Sequence, residues 1–547
     1  MRSIAASLQA FRKVFANADV RNVQLAGAGA TLGIWAYGVA LPVYAYHAGG
    51  APAVGFLYFI RFVLAALAGP WLGVLADRWS RRRVMLTSDL VRCGLLAGMT
   101  AVASTGGSAY VIYVLAITST IVAVVYNPAQ AALMPTLVNS PEELTAANVV
   151  GNTISSVGMF AGPALGGVLL ALSGPAAVFA LTGALTVWSV VFVLLVPRDE
   201  PPEPTAPPHF LSELKAGFVT VLNRPALRVV IGLSSAQAVI DGAIEVLLVV
   251  IALQLLHDGT NATLGWLNTA IGIGSIVGAF VVAALAARRR LAGGFALGLL
   301  LSAVPLALMA AVSSLAPALI LAGALGVGAI FIQVNAVTLL QRTAENEVMG
   351  RVFAVLESLL LAGLALGSIV TPGLVDWLGP RGALIAAGAV LPILLVWLWP
   401  RLRRIDDEAV IAEEPLELLR RIAIFAELPE PVLERLASGA TSVSVEAGQV
   451  IVSRGEAGRH FYTIASGRAA VELDDGTTRE LGPGDFFGEI ALLRDVPRTA
   501  TVKAVEPLRI YAIERDEFIE AVTGHAPTLA AAENVVMSRL PAGALAG

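Results

Sequence analysis

Twelve apolar segments, each long enough to cross a ~30 Å hydrocarbon core, constrain this chain more than any other feature. They fall near 23–46, 53–76, 84–105, 109–134, 148–172, 176–196, 227–256, 263–286, 291–313, 317–340, 351–374 and 383–399. A backbone in lipid must satisfy its own hydrogen bonds, so segments of this length are helices. Composition agrees: 57% of the 547 residues are hydrophobic and 14% charged, with a mean hydropathy of +0.78. These are values of a polytopic membrane protein, not of several soluble domains. The single cysteine, Cys93, excludes an intramolecular disulfide and a cysteine-based metal cluster. Many spans are rich in Gly and Ala, which favours close helix contacts.

The net charge of −4 says less than the placement of charge. Arg78, Arg81 to Arg83, Arg198, Lys215, Arg224, Arg288 to Arg290, Arg342, Arg401, Arg403 and Arg404 fall on one side of the spans, whereas the opposite loops hold only Arg381. The positive-inside rule then places both termini in the cytoplasm, in a multi-pass protein of the inner membrane. Residues 1–22, with Arg2, Arg12, Lys13 and Arg21 spread among apolar side chains, read as an amphipathic helix on the membrane surface and not as a signal peptide. Six spans occupy 23–196 and six occupy 227–400, separated by a Pro-rich linker with an amphipathic stretch, 197–226. The halves echo each other: GVLADRWSRRR between helices two and three corresponds in place to VVAALAARRR between helices eight and nine. A charged connector, 401–415, leads to a module at 416–547, where the period changes. From Ser442 to Ile513 short β-branched runs alternate with glycines, the pattern of a β-roll or jelly roll, with helices on either side.

Within that module Phe487 to Val502 reads FGEIALLRDVPRTATV. A helix start offers N–H donors to an anion, Arg498 adds a planar fork for two oxygens, and Glu489 can accept from hydroxyls. The stretch resembles the phosphate-binding cassette of cyclic-nucleotide-binding domains of the catabolite-regulator, kinase and channel type. Phe487, Gly488, Glu489, Ile490, Ala491, Arg498 and Ala500 carry the likeness. The resemblance implies that Glu489 binds a ribose 2′-hydroxyl and Arg498 a cyclic phosphate, with cAMP or cGMP as regulatory ligand. Thr499 stands where cyclic-GMP responders of this family commonly have threonine.

Gly73-Val-Leu-Ala-Asp77-Arg78-Trp-Ser-Arg81-Arg82-Arg83 is similar to the signature loop of the major facilitator superfamily. The resemblance implies a fold of two six-helix repeats around a central cavity, with Gly73, Asp77, Arg78, Arg81 and Arg82 forming a conformational latch. Asn127 to Pro135 and Gln341-Arg342 leading to Gly350-Arg351-Val352 resemble the branch that includes the bacterial enterobactin exporter. Gly158-Met-Phe-Ala-Gly162-Pro163-Ala-Leu-Gly166-Gly167 is similar to an element common in facilitator exporters, so export is favoured over import; the same glycines also serve helix packing.

Ionisable groups inside spans are costly and face a cavity or a partner. Arg61 in helix two is expected to pair with Asp241 or Glu245 in helix seven when an outer gate closes. Asp241 and Glu245, four residues apart on one helix face, are candidate proton carriers, because two nearby carboxylates repel. A purely structural ion pair with Arg61 fits the same spacing. Asp89 and Arg92 are placed to satisfy each other, and Glu357 lies near the inner surface. Trp35, Tyr37, Tyr44, Phe56 and Tyr126 are candidate cavity aromatics. The reading is thus a secondary exporter coupled to protons and regulated by cytoplasmic cyclic nucleotide, not an enzyme. It has a lipid bilayer, a small-molecule substrate and a cyclic nucleotide as partners, no nucleic acid, and no cofactor or metal for transport. The alternative is a transporter whose module only docks or assembles. A channel needs a filter such as T-V-G-Y-G, a transcription regulator a helix-turn-helix and a phospholipase G-x-S-x-G; none is present.

Overall fold

The computed structural model describes residues 15–197, 210–256, 260–285, 291–343, 346–410, 413–473 and 477–539, with side chains except at 70–78 and a few helix ends. Most of the expected N-terminal amphipathic helix and the Pro-rich part of the linker lie outside the described residues. The chain forms two compact units, Met1–Leu402 and Arg403–Gly547.

The first unit is all helix: α1 (Ala18–Arg78), α2 (Arg81–Ser104), α3 (Ala109–Ala123), α4 (Tyr126–Leu137), α5 (Pro141–Leu195), α6 (Phe210–Asn223), α7 (Pro225–Val250), α8 (Thr263–Leu285), α9 (Leu291–Leu308), α10 (Leu315–Thr343) and α11 (Asn346–Val410). Among the described residues nine stretches are long and apolar enough to cross a membrane. Three of these reverse direction at a glycine in the left-handed region: Gly50 (φ 68°) in α1, Gly174 (φ 76°) in α5 and Gly379 (φ 72°) in α11. Each of the three is two spans, so the spans number twelve. Proline follows directly in Gly174-Pro175 and Gly379-Pro380, the equivalent turns of the two halves. Only glycine takes this backbone without strain, and proline cannot continue the preceding helix. The apolar run 109–134 is broken after Ala123, because Pro128 in α4 has no N–H for a helical bond to Val124. The last span continues without a break to Val410, so most of the expected connector is helix.

The halves pack through glycines in matching places. A Cβ on Gly166 would meet the Ala36 carbonyl oxygen at 2.6 Å, and one on Gly363 the Ser235 carbonyl oxygen at 2.9 Å. These are the contacts of span five on span one and of span eleven on span seven. Gly167 and Gly265 bring the two halves themselves together, since a Cβ on Gly265 would lie 2.6 Å from Gly167 Cα.

The second unit opens with α12 (Glu413–Arg421) and α13 (Glu430–Gly439), followed by β1 (Thr441–Val445), β2 (Val450–Val452), β3 (His460–Ser466), β4 (Ala469–Glu472), β5 (Thr478–Leu481), β6 (Phe486–Phe487), α14 (Glu489–Leu493), β7 (Thr501–Ala504) and β8 (Leu508–Glu514). It closes with α15 (Arg515–Thr523) and α16 (Ala526–Arg539). Two four-stranded sheets, ordered β1-β8-β3-β6 and β2-β7-β4-β5, form the roll. Val445, Ile464, Val502 and Ile510 fill the space between them. Phe461 stacks on Phe518 at 4.8 Å, fixing the flanking helices to β3.

Candidate functional site

In the second unit, β6 delivers the chain to Gly488, whose φ of 96° turns it into α14. A side chain there is excluded twice, by that dihedral and because a Cβ would lie 2.5 Å from Arg498 Nη1. Arg498 enters from the loop after α14 and is 5% exposed. Its Nη1 donates to the Gly488 carbonyl oxygen at 2.9 Å and its Nη2 to the His460 carbonyl oxygen at 2.7 Å. Nε is buried without a hydrogen-bond partner. The guanidinium lies 5.8 Å from the Tyr462 ring centroid, and Tyr462 stacks on Phe487 at 5.0 Å. Burial pulls the Arg498 pKa down from the ordinary arginine value, while Tyr462, Glu489 and Glu456 push the other way. A guanidinium cannot discharge in this range, so the site holds a permanent cation that gains from an added anion.

Glu489, 1% exposed, begins α14. Ala491 is buried and close to Gly458, where a Cβ would come within 2.9 Å of Ala491 Cβ. Thus Gly488, Glu489, Ala491 and Arg498 meet around one point. Phe487 is buried behind them, Ile490 and Ala500 are half-buried, and Thr499 is exposed. Sequence reasoning missed Gly458, Tyr462 and the His460 carbonyl. The backbone carbonyl leaves no trace in the residue type, whereas Tyr462 sits in the alternating pattern of β3. A cleft of about 460 Å³ between α14 and the closing helices, lined by Leu492, Arg515 and Ile519 among others, involves neither Glu489 nor Arg498.

In the first unit the spans present two ends, one with Ser80 between α1 and α2, the other with the turns at Gly50, Gly174 and Gly379. At the glycine-turn end the halves are joined: the Gln254 amide donates to the Tyr46 hydroxyl, His47 and Asn261 are 3.2 Å apart, and a Cβ on Gly55 would collide with span eleven at Ser368 and Pro372. Toward the Ser80 end a cavity of about 1030 Å³ opens, lined mainly by spans one, four and five with Gln333 from span ten. Trp35 and Tyr126 are in its wall; Tyr37, Tyr44 and Phe56 are not among the lining residues.

Arg61 donates from Nε to Thr120 Oγ1 at 3.0 Å and lies over the rings of Tyr37 and Tyr58, 5.8 and 5.5 Å from their centroids. No ion pair within 4 Å joins it to a carboxylate among the described residues. Tyr58 has Arg61 of its own half and Glu245 of the other as its charged neighbours. Asp241 accepts from Gln237 Nε2 at 2.7 Å. Asp89 and Arg92 are buried together, Arg92 Nη1 lying 3.5 Å from Asp89 Oδ1. Ser189 Oγ donates to Asp89 Oδ2 at 2.6 Å, and the Tyr126 hydroxyl is 2.8 Å from Ser189 Oγ. Glu357 is exposed. Of the latch, Arg82 donates to the Val193 and Leu194 carbonyl oxygens at 3.1 and 2.9 Å, capping the end of α5 where the helix dipole favours a cation. Arg81 is half-buried, and the side chains of Gly73, Asp77 and Arg78 lie outside the described residues.

Twelve spans in two matching halves around a cavity open at one end define a transporter of the major facilitator fold, here carrying a β-roll with a buried cationic pocket. A solved POT family transporter in complex with a thioalcohol-conjugated peptide shares this architecture at a TM-score of 0.57 and 13% identity, over 70% of this chain and 96% of its own. The model of the transmembrane secretion effector family matches residues 60–424, more than half of the chain, and the chain belongs to that family. A cyclic nucleotide-binding domain model matches residues 442–525. That part is similar to a cAMP-dependent protein kinase regulatory subunit of Yarrowia lipolytica, 39% identical over 102 residues, 18% of this chain and 27% of the relative. It is also similar to a cGMP-dependent protein kinase of Eimeria tenella, 32% identical over 119 residues, 22% of this chain and 12% of the relative. The chain thus spans less than a third of the length of either curated relative.

Proposed function

We propose that the protein is a secondary active exporter of a small molecule, working by proton-coupled antiport, whose alternating-access equilibrium is biased by cAMP or cGMP bound to the C-terminal unit. The observation that carries the regulatory half is Arg498: a buried cation with no carboxylate within 4 Å among the described residues and with Nε lacking a hydrogen-bond partner, beside a buried glutamate. A cyclic phosphate supplies the missing anion and its ribose hydroxyl an acceptor's partner for Glu489. In the inner membrane, both termini and the nucleotide pocket face the cytoplasm, a reading supported by the distribution of arginines. In that orientation the cavity is open inward and the outer end is closed. Asp241 and Glu245 carry the proton, with Tyr58 and Arg61 as the gate that senses their charge across the two halves. Asp77, with Arg78 and Arg81, serves as the inner latch. The likeness to the enterobactin-exporter branch supports outward transport.

A ligand shifts a conformational equilibrium only through differential affinity for its states, and coupling of ~1–3 kcal/mol corresponds to ~5- to 150-fold changes. The test places spin labels at Tyr110→Cys and Trp377→Cys, both exposed near the glycine-turn end of opposite halves, in a Cys93→Ser background of the full chain in lipid nanodiscs. The expected result is a change in the distance distribution on adding cAMP or cGMP that Arg498→Ala abolishes. Unchanged distances with both nucleotides overturn the regulatory reading and leave a transporter with a docking module.

A further inference from the structure

The cavity in the membrane unit has no Asp, Glu, Lys, Arg or His among its described lining residues, although it spans about 1030 Å³. Its polar groups are amides and hydroxyls. On α5, Asn148, Asn152 and Ser155 follow at helical spacing and form one stripe of the wall. Asn127 and Gln333 face the same space from α4 and α10. All five are exposed, and their side chains make no hydrogen bond among the described residues. Trp35 and Tyr126 add flat aromatic faces.

None of the intramembrane charges Arg61, Asp89, Arg92, Asp241, Glu245 and Glu357 is among the lining residues of this space. Asp89 and Arg92 are withdrawn behind Tyr126 and Ser189 and neutralise each other there. Arg61 is engaged by Thr120, Tyr37 and Tyr58. A charged solute entering the cavity would give up hydration without meeting a counter-charge, which costs far more than burying a neutral group that finds hydrogen bonds. An amide side chain both donates and accepts, so this wall satisfies hydroxyls, carbonyls and N–H groups alike.

We propose that the cavity selects an uncharged cargo with an aromatic or cyclic body and several hydroxyl or amide groups, and rejects ions of either sign. This inference rests on the reading of the membrane unit as a transporter and names the class of its substrate. A neutral aryl glycoside is such a cargo: its ring stacks on Trp35 and Tyr126 while its hydroxyls meet the amide stripe of α5.

The test uses three probes that share one scaffold and differ in charge: p-nitrophenyl β-D-glucoside, its anionic glucuronide and its cationic glucosaminide, the last held below its amine pKa. Binding to the full chain in nanodiscs is measured by equilibrium dialysis for the wild type, Asn152→Leu, Asn152→Gln and Asn152→Asp. The glucoside is expected to bind about tenfold or more tightly than either ion, the scale of discrimination set by an unmatched charged group in a site built of neutral donors and acceptors. Asn152→Leu should weaken it about fivefold or more, a loss comparable to one net hydrogen bond, Asn152→Gln should restore most of the affinity, and Asn152→Asp should recruit the glucosaminide. Equal or tighter binding of a charged probe, indifference of the glucoside to Asn152→Leu, or no glucoside binding overturns the inference. The same preparation in liposomes separates the two levels. Selective binding without movement of the glucoside across the bilayer sustains the cavity's selectivity and sinks the transporter reading; movement of a charged probe in preference does the reverse.

Discussion

Arg92 in the membrane unit and Arg498 in the nucleotide unit are equally buried, each 5% exposed, yet their surroundings differ in kind. Arg92 has a carboxylate, Asp89, at 3.5 Å, and that carboxylate is held in turn by Ser189. Arg498 has two backbone carbonyl oxygens and an aromatic face, with no carboxylate inside ion-pair distance among the described residues. The first charge is compensated by the protein itself; the second is only oriented. In the buried pair the charges balance even though Asp89 Oδ1 and Arg92 Nε and Nη1 have no hydrogen-bond partner, and removing one partner strands the other. A buried charge held by dipoles alone is prepared for an anion that arrives from outside. Burial of an arginine therefore does not identify a binding site, but the nature of its partners does.

The largest effect expected from this contrast is on Asp89. Asp89→Ala leaves Arg92 uncompensated and should cost ~3–5 kcal/mol of stability, read as a lowered unfolding midpoint of the reconstituted protein; a double variant with Arg92→Leu should recover much of the loss. Gly488→Ala comes next, because a residue forced to a φ of 96° also meets Arg498, and a strain of ~1–3 kcal/mol is expected, together with weakened nucleotide binding in calorimetry. Arg498→Leu should change the unfolding midpoint of the second unit little in either direction, since it removes a charge the fold does not neutralise. A large loss of stability there would erase the contrast with Arg92.

The smallest effect concerns Glu414, which accepts from Arg509 Nη1 at 2.7 Å and from the Tyr511 hydroxyl at 2.8 Å. Those bonds, Tyr511's first, hold its pKa below the ordinary glutamate value. A lowered folded-state pKa means stability that is present above the unfolded value near 4.5 and lost as pH falls through the folded value. Because both Glu414 and Arg509 are largely exposed, solvent screens the pair. Glu414→Ala should lower the midpoint slightly at neutral pH and be indistinguishable from wild type in strong acid; a difference that grows as pH falls would contradict this.

The two regions were also unequally legible. The cassette is a contiguous run in which Gly488, Glu489 and Arg498 lie within a few turns of chain, so residue type and spacing point to the pocket directly. Its completion by Tyr462 and the His460 carbonyl depends on the pairing of β3 with β6, which no local pattern encodes. In the membrane unit, span length and hydropathy give the twelve helices, and the positions of Gly174-Pro175 and Gly379-Pro380 fall naturally at equivalent turns. The partners of the intramembrane charges were harder to read. Asp89 and Arg92 are three residues apart and meet as their spacing suggests. Arg61 and Glu245 come from different halves, and both are charged neighbours of Tyr58, an arrangement that no spacing within one segment encodes. The amide wall of the cavity went unnoticed for a related reason: Asn127, Asn148 and Gln333 look like scattered polar residues until three helices bring them to one surface.

The most direct test of the central claim is calorimetric titration of the full chain in nanodiscs with cAMP and with cGMP, for the wild type and Arg498→Ala. The account predicts saturable binding of at least one nucleotide at one site per chain, weakened by about 100-fold or more in the variant, the loss expected when charge-assisted hydrogen bonds to a phosphate are removed. Binding of equal strength in the variant, or no binding of either nucleotide to the folded wild type, would contradict it.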